Sequence, residues 1–219
     1  MIETIRFNNV IPNVFLGSLP EGGPSDVWEH ELSFHKGKSY LIEAASGRGK
    51  SSFCSFLYGL RPDYQGTIEL FDKQGRHVVK DEAAGCEIRK RSLAMMFQDH
   101  RLFPELTAVE NVMLKNTLTN YLNEQLVRQM LARLGLQDRA DTPCAILSLG
   151  QQQRVAFVRL LAQPADFFLL DEPISHLDKD NAEIMGEMLE ERQRKDGAGV
   201  IVTSIGSRLP YHYDSIIRL

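Results

Sequence analysis

Residues 44–52, Ala-Ala-Ser-Gly-Arg-Gly-Lys-Ser-Ser, are the stretch whose residue types and spacing most directly imply chemistry. A glycine-rich turn closing on Gly-Lys-Ser presents successive backbone N–H groups to an anion, and a helix starting there adds its partial positive charge. In such a cradle Lys50 would reach the β- and γ-phosphates of a nucleotide and the Ser51 hydroxyl would ligate Mg²⁺. The usual pattern opens with glycine. Here Ala44 takes that place, and a left-handed backbone there would cost about 1 kcal/mol. Taken alone, the stretch also fits an ordinary Gly-rich turn. A second candidate is Asp171-Glu172-Pro173, which follows the apolar run 167–170. A carboxylate ending a buried strand is costly unless it has a partner or a task, and in an α/β sheet that end faces the ligand crevice. Asp171 would then hold the Mg²⁺ shell and Glu172 would polarise a water for attack on the γ-phosphate. The alternative, a strand-terminal acidic turn, becomes minor once the pair is set beside Gly49-Lys50-Ser51. Third, Ser148 stands where a helix cap belongs, and a hydroxyl with free N–H groups at a helix start makes either a second anion site or a plain cap.

These groups need elements to carry them. Residues 39–43 read as the strand feeding the glycine-rich loop, and Phe53, Phe56, Leu57 and Leu60 give the helix after it. Residues 2–7 predict a first strand, followed by a turn-rich loop with Gly17, Pro20, Gly22, Gly23 and Pro24. A second strand is expected over 27–34, with 35–38 as a hairpin turn. Phe15, before the loop, fits stacking on an adenine ring and fits core packing equally well, whereas Trp28 reads as core. Strands over 67–71 and 92–97 flank a polar helix over 81–92. Thr107-Ala108-Val109-Glu110 has the form of a capping box, and 119–134 reads as helix with Leu122, Leu126, Met130, Leu131 and Leu134 on one stripe. The run 167–170 reads as a fully buried strand. Residues 181–195 form a helix with Glu190/Arg194 and Glu191/Lys195 paired outside and Gly197 as its stop. Strands over 199–203 and 214–219 complete the chain.

The 219 residues, 43% hydrophobic and 25% charged, suit one globular α/β domain with a lobe, or two small domains. No run has the length to span a bilayer and the start lacks the form of a secretory signal, so a cytosolic protein is expected, held at any membrane by another polypeptide. A net charge of −4 gives no support for nucleic-acid binding. Cys54, Cys86 and Cys144, dispersed and without a CxxC pair, read as reduced core thiols.

Together the motifs resemble the nucleotide-binding domain of the ATP-binding cassette (ABC) family. Residues 44–52 match its Walker A loop and Gln98 its Q-loop glutamine. Residues 147–154, Leu-Ser-Leu-Gly-Gln-Gln-Gln-Arg, match the signature, 167–173 match Walker B with its glutamate, and 175–178 match the D-loop. The resemblance covers residues 2–219. It implies a P-loop NTPase α/β core (1–98 and 161–219) with a mostly parallel sheet, an N-terminal antiparallel β subdomain, and a helical subdomain inserted at about 99–160. ATP and Mg²⁺ are the implied ligands. Ser46, Gly47, Arg48, Gly49, Lys50, Ser51 and Ser52 would cradle the phosphates, and Ser51, Gln98 and Asp171 would serve the metal. Lys50, Gln98 and Glu172 would act in hydrolysis. Two cassettes, identical or paralogous, would close head to tail on two ATP molecules, with Ser148, Gly150 and Gln151 of one meeting the γ-phosphate held by the other and Asp178 crossing between them.

Three residues depart from the family pattern. Ala44 replaces the first Walker glycine. Leu149 replaces the first signature glycine, where backbone should approach phosphate. Ser204 stands at the nucleotide-site position of the switch histidine and cannot become cationic. Slow hydrolysis with retained nucleotide binding is the expectation; His212 does not align and reads as surface. The segment 97–112 is similar to the lipoprotein-releasing, macrolide-export and cell-division cassettes. It implies a groove after Gln98 for a helix of a separate permease, and a place on the inner face of the cell membrane. An ATPase subunit of a transporter and an ATP-gated regulatory module without transport both follow. A soluble cassette acting on nucleic acid is disfavoured by charge and by the lack of long insertions.

Overall fold

In the computed structural model, residues 1–17, 23–77 and 82–219 are described. Pro20, Gly22 and residue 81, which belong to the expected loop and helix, lie outside them. Strands β3 (Ser39–Glu43), β5 (Leu93–Met96), β6 (Phe167–Asp171), β7 (Gly199–Ser204) and β8 (Ser215–Arg218) form a parallel sheet in the order β5-β6-β7-β3-β8. Strands β1 (Thr4–Pro12), β2 (Glu31–His35) and β4 (Tyr64–Phe71) form an antiparallel sheet in the order β2-β1-β4. The helices are α1 (Lys50–Leu57), α2 (Glu82–Arg91), α3 (Ala108–Asn116), α4 (Glu124–Arg133), α5 (Leu149–Leu161) and α6 (Lys179–Asp196).

The continuous apolar runs of the parallel strands are buried on both faces, and successive side chains divide between two cores. Leu41, Ala94, Met96, Phe168, Leu170, Val200 and Val202 enter a core shared with α3–α6. Tyr40, Ile42, Leu93, Phe167, Leu169 and Ile201 face the opposite way, into a core with α1 and the antiparallel sheet. There Phe53 of α1 lies 5.1 Å from Phe7 and 5.8 Å from Phe34, ring centre to ring centre. The mainly parallel sheet and the N-terminal antiparallel sheet are as the sequence leads one to expect.

Several local expectations are corrected. Residues 27–30 are turn, not strand: the Ser25 hydroxyl accepts the N–H groups of Val27 (3.0 Å) and Trp28 (2.9 Å), and Glu29 has φ 63°. That local bonding competes with a ladder and lets Trp28 turn into the core. Residues 36–38 are not a hairpin, because β2 and β3 belong to different sheets. Leu60 lies beyond the end of α1 and is exposed. The helix expected over 119–134 begins only at Glu124. The Asn116 carboxamide donates to the Leu122 carbonyl (2.6 Å) and accepts its N–H (2.8 Å), and Asn123 caps α4. Leu126 of the expected stripe is exposed. Glu191 pairs with Arg133 at 2.7 Å rather than with Lys195, whose ammonium lies over the Tyr121 ring. Cys54 and Cys144 are buried free thiols, but Cys86 is exposed.

One buried ion pair joins distant parts of the chain. Asp166, just before β6, accepts the Ile2 N–H at 2.7 Å and the Lys36 ammonium at 2.5 Å, with both charged side chains largely buried. Removing one partner strands the other charge. Asp166→Ala is therefore expected to lower the unfolding free energy by about 3 kcal/mol. Lys38→Ala, at an exposed pair with Asp214, should cost under about 1 kcal/mol. Urea unfolding of the two variants measures the contrast.

Candidate functional site

The carboxyl ends of β3, β5, β6 and β7 converge on the glycine-rich loop. The loop turns through two left-handed residues, Gly47 (φ 80°) and Gly49 (φ 96°). Ala44 is not left-handed, so the cost expected for it is not incurred. A Cβ on Gly49 would stand 3.0 Å from both Phe15 and Trp28, so these two rings back the loop. Trp28 donates its indole N–H to the Arg48 carbonyl at 3.2 Å. Phe15 sits edge-on to Trp28 and is half-buried. The Arg48 guanidinium points away from the loop interior. It is buried and donates to the carbonyls of Leu219 (3.0 Å) and Gly23 (2.9 Å), which leaves only its backbone for a ligand.

Lys50, the first residue of α1, is 5% exposed. Its ammonium donates to the carbonyls of Ala44 (3.1 Å) and Ala45 (2.8 Å) and lies 3.6 Å from the Glu172 carboxylate. Burial lowers its pKa, and Glu172 works against that shift. The Ser51 hydroxyl donates to Gln98 Oε1 at 3.3 Å, and Gln98 Nε2 donates to Glu172 Oε2 at 3.0 Å. Four side chains from the loop, the end of β5 and the end of β6 thus form one connected set. Glu172 has φ 50°, a left-handed conformation that a non-glycine residue holds only when its surroundings impose it. Its N–H donates to Thr203 at 3.2 Å, to both the hydroxyl and the carbonyl oxygen. The same Thr203 hydroxyl donates to the Asp171 carboxylate at 2.6 Å, inside the sheet. Cys54 lies behind them, its thiol pKa pushed well up by burial and by Asp171.

The remaining candidates form a second group. Ser148 caps α5: its hydroxyl accepts the Gln151 N–H (3.3 Å) while Gln151 Oε1 accepts the Ser148 N–H (2.9 Å), a full capping box. Gly150 is required within the chain, since a Cβ there would lie 2.6 Å from the His176 carbonyl oxygen. Leu149, in place of glycine, is 56% exposed. Asp178 caps α6 through the Asn181 N–H at 2.8 Å, and that bond holds its carboxyl below the usual range. No hydrogen bond joins Ser148, Gly150, Gln151 or Asp178 to residues 44–52 among the described residues. Ser204 is buried and gives its hydroxyl to the Ser207 carbonyl, while its own carbonyl accepts the Ala44 N–H at 3.3 Å. Ser52, half-buried in the first turn of α1, accepts a hydrogen bond from the Arg61 guanidinium (3.2 Å), and Ser46 is an exposed loop residue. His212 is exposed.

Two residues that reading the sequence missed connect these groups. Thr203 was read only as the end of an apolar strand, although a hydroxyl in such a run signals a buried polar partner. Gln153, 1% exposed, donates to the Glu172 carbonyl (3.2 Å) and the Ser175 hydroxyl (3.3 Å) and accepts the His176 N–H (3.0 Å). It links α5 to the stretch after β6. Thr203→Val keeps the shape and removes the donor to Asp171. It is expected to cost about 2 kcal/mol of unfolding free energy, and Thr203→Ser should recover most of it in the same urea titration.

Comparison with known proteins agrees with this arrangement. The ABC transporter family model matches residues 28–175. The lipoprotein-releasing system ATP-binding protein LolD of Syntrophotalea carbinolica is 32% identical over 199 residues, covering 89% of this chain and 86% of that protein. LolD of Ruegeria pomeroyi is 33% identical over 195 residues, covering 86% and 83% respectively. Among solved structures, the dimeric post-hydrolysis state of the ATP-binding cassette MJ0796 bound to ADP and Pi superposes with a TM-score of 0.74 at 26% identity, covering 91% of this chain and 87% of that one. A glycine-rich loop whose lysine meets a strand-end glutamate, on this sheet order and with this ancestry, identifies the chain as a member of the ABC transporter family, an ATP-binding cassette domain with ATPase activity.

Proposed function

We propose that this cassette powers a separate membrane permease by closing on ATP with a second cassette, identical or paralogous. The observation that carries the reading is the connected set Lys50–Glu172–Gln98–Ser51, which couples the phosphate loop to the ends of two strands. In the closed state Lys50 and the backbone of residues 46–52 hold the phosphates. Glu172 orients the attacking water and accepts its proton. Phe15, half-buried and edge-on to Trp28, offers the adenine an aromatic surface. The Ser51 hydroxyl, the Gln98 carboxamide oxygen and the Asp171 carboxylate are hard oxygen donors suited to Mg²⁺. The ion would supply charge neutralisation at the β- and γ-phosphates. Ser148, Gly150, Gln151 and Asp178, separate from the loop in one chain, fit a role across the dimer. The solved MJ0796 cassette structures are dimeric, which supports that geometry. The LolD relatives are named as ATP-binding proteins of lipoprotein-releasing systems. No helix among the described residues is long and apolar enough to cross a membrane. In this reading a permease subunit holds the chain at the inner face, against the groove that follows Gln98.

Glu172→Gln keeps the shape and removes the base. It is expected to run as an ATP- and Mg²⁺-dependent dimer in light scattering. A monomer in saturating nucleotide, with membranes present or absent, would overturn the dimer reading.

Ser204 spends its hydroxyl on Ser207 and offers the γ-phosphate no cation. Loss of one aligned electrostatic partner typically costs about 10²–10³ in rate, so slow basal turnover is expected. A cavity of about 250 Å³ between Glu172, Ser175, Ser204 and Ser207 has room for an imidazole. Ser204→His should raise steady-state ATPase by at least about tenfold. A fast wild type with no gain in the variant contradicts the proposal. The weakened site also favours an ATP-gated regulatory module without transport, which substrate movement in proteoliposomes distinguishes.

A further inference from the structure

Arg61 follows the end of α1, yet its side chain runs back along that helix to the first turn, where Nη1 donates to the Ser52 hydroxyl oxygen at 3.2 Å. The guanidinium is held from two further sides. The Asp63 carboxylate takes it as a bidentate pair, Nε to Oδ1 at 2.9 Å and Nη2 to Oδ2. The Phe56 ring lies beneath it, with Cζ 5.4 Å from the ring centre, and Phe56 itself packs on Tyr64 at 4.8 Å. A planar guanidinium fixed in this way is a pre-organised donor. Stability does not account for the arrangement, since an exposed ion pair contributes little.

The hydroxyls of Ser51 and Ser52 face different partners. Ser51 donates to Gln98 and is joined through it to Glu172. Ser52 faces Arg61, and the carbonyl of Asp63, the partner of Arg61, accepts the Asn13 N–H at 3.0 Å, in the helical turn Asn13–Phe15. Ser51 thus belongs to the end of the site where the terminal phosphate reacts, and Ser52 to the end nearer Phe15 and the nucleoside. A hydroxyl carries one proton and two lone pairs. With a lone pair taken by a cation, the proton is left for an acceptor, and the bond it gives is strengthened.

We infer that Arg61 is a positioning residue for nucleotide binding: held by Asp63 and Phe56, it aims the Ser52 hydroxyl at an oxygen of the phosphate nearest the nucleoside. The inference rests on the reading of residues 46–52 as the phosphate cradle. That phosphate is common to nucleoside di- and triphosphates and lies away from the bond that breaks, so the contact serves binding and not the chemical step.

The test is calorimetric titration of the full chain with ADP and with a non-hydrolysable ATP analogue, both with Mg²⁺, beside steady-state ATPase. Arg61→Ala should weaken both nucleotides by the same factor, about five- to tenfold. KM should rise by a similar factor while kcat stays within about twofold. Arg61→Lys, which keeps the charge and loses the fork, should fall between the two. Ser52→Ala alone should reproduce the loss, and Arg61→Ala added to it should cost nothing further, because the two side chains act as one unit. Equal affinity of wild type and Arg61→Ala overturns the inference, as do additive losses in the double variant or a loss confined to the triphosphate. A wild type that binds neither nucleotide overturns the phosphate-cradle reading and this inference with it.

Discussion

Lys50, at the start of α1, and Asp171, at the end of an apolar strand, are both nearly excluded from water, and the cost of burying those charges is the constraint around which the molecule is arranged. Each is tolerated because its polar valences are met. Lys50 has two loop carbonyls and the Glu172 carboxylate, and Asp171 has the Thr203 hydroxyl. None of those partners is near in sequence to both charges. They come together because four parallel strands end at one level, and the strand order puts β7 between β6 and β3. The sheet is therefore a positioning device as much as a core.

The same network explains the unusual backbone of Glu172. Its left-handed conformation is held from two sides, by Thr203 through the N–H and by Gln153 through the carbonyl. Gln153 belongs to α5, whose first turn carries Ser148 and Gly150, and it also holds the His176 backbone against that turn. A displacement at the start of α5 thus has a short covalent and hydrogen-bonded route to the carboxylate. The loop after Gln98 is tied into the same region, with the His100 ring edge-on to His176 at 6.2 Å and the His100 carbonyl held by Arg159. Arg101 and Phe103 of that loop line the groove together with Arg159, so a partner seated there would touch the loop itself.

Leu149 and Ser204 are two of the three residues that depart from the family pattern. Leu149 does not disturb the fold, since the glycine that packing demands is Gly150 and the leucine faces solvent. Its consequence falls on whatever approaches the α5 N-terminus. Ser204 is absorbed into its own chain, with the hydroxyl turned to Ser207 and the carbonyl bonded to the start of the phosphate loop.

Residues 44–52, Gln98, 147–154 and 171–178 were legible in the sequence because each motif encodes a local requirement. Glycines allow left-handed turns at 47 and 49, serine caps a helix, and an acid follows a run of apolar residues. The complete burial of β6 was likewise implied by its uninterrupted apolar run. Local bonding that competes with regular structure was not legible. The Ser25 hydroxyl turned an apparent strand into a turn, and the Asn116 carboxamide delayed α4 to Glu124. Nor could spacing tell that Arg48 points its side chain away from the phosphate loop, that Thr203 supports Asp171, or that Arg61 reaches back to Ser52. Motif identity is a property of neighbouring residues. Which charges are buried together depends on contacts between strands and helices far apart along the chain, and only the folded arrangement decides those.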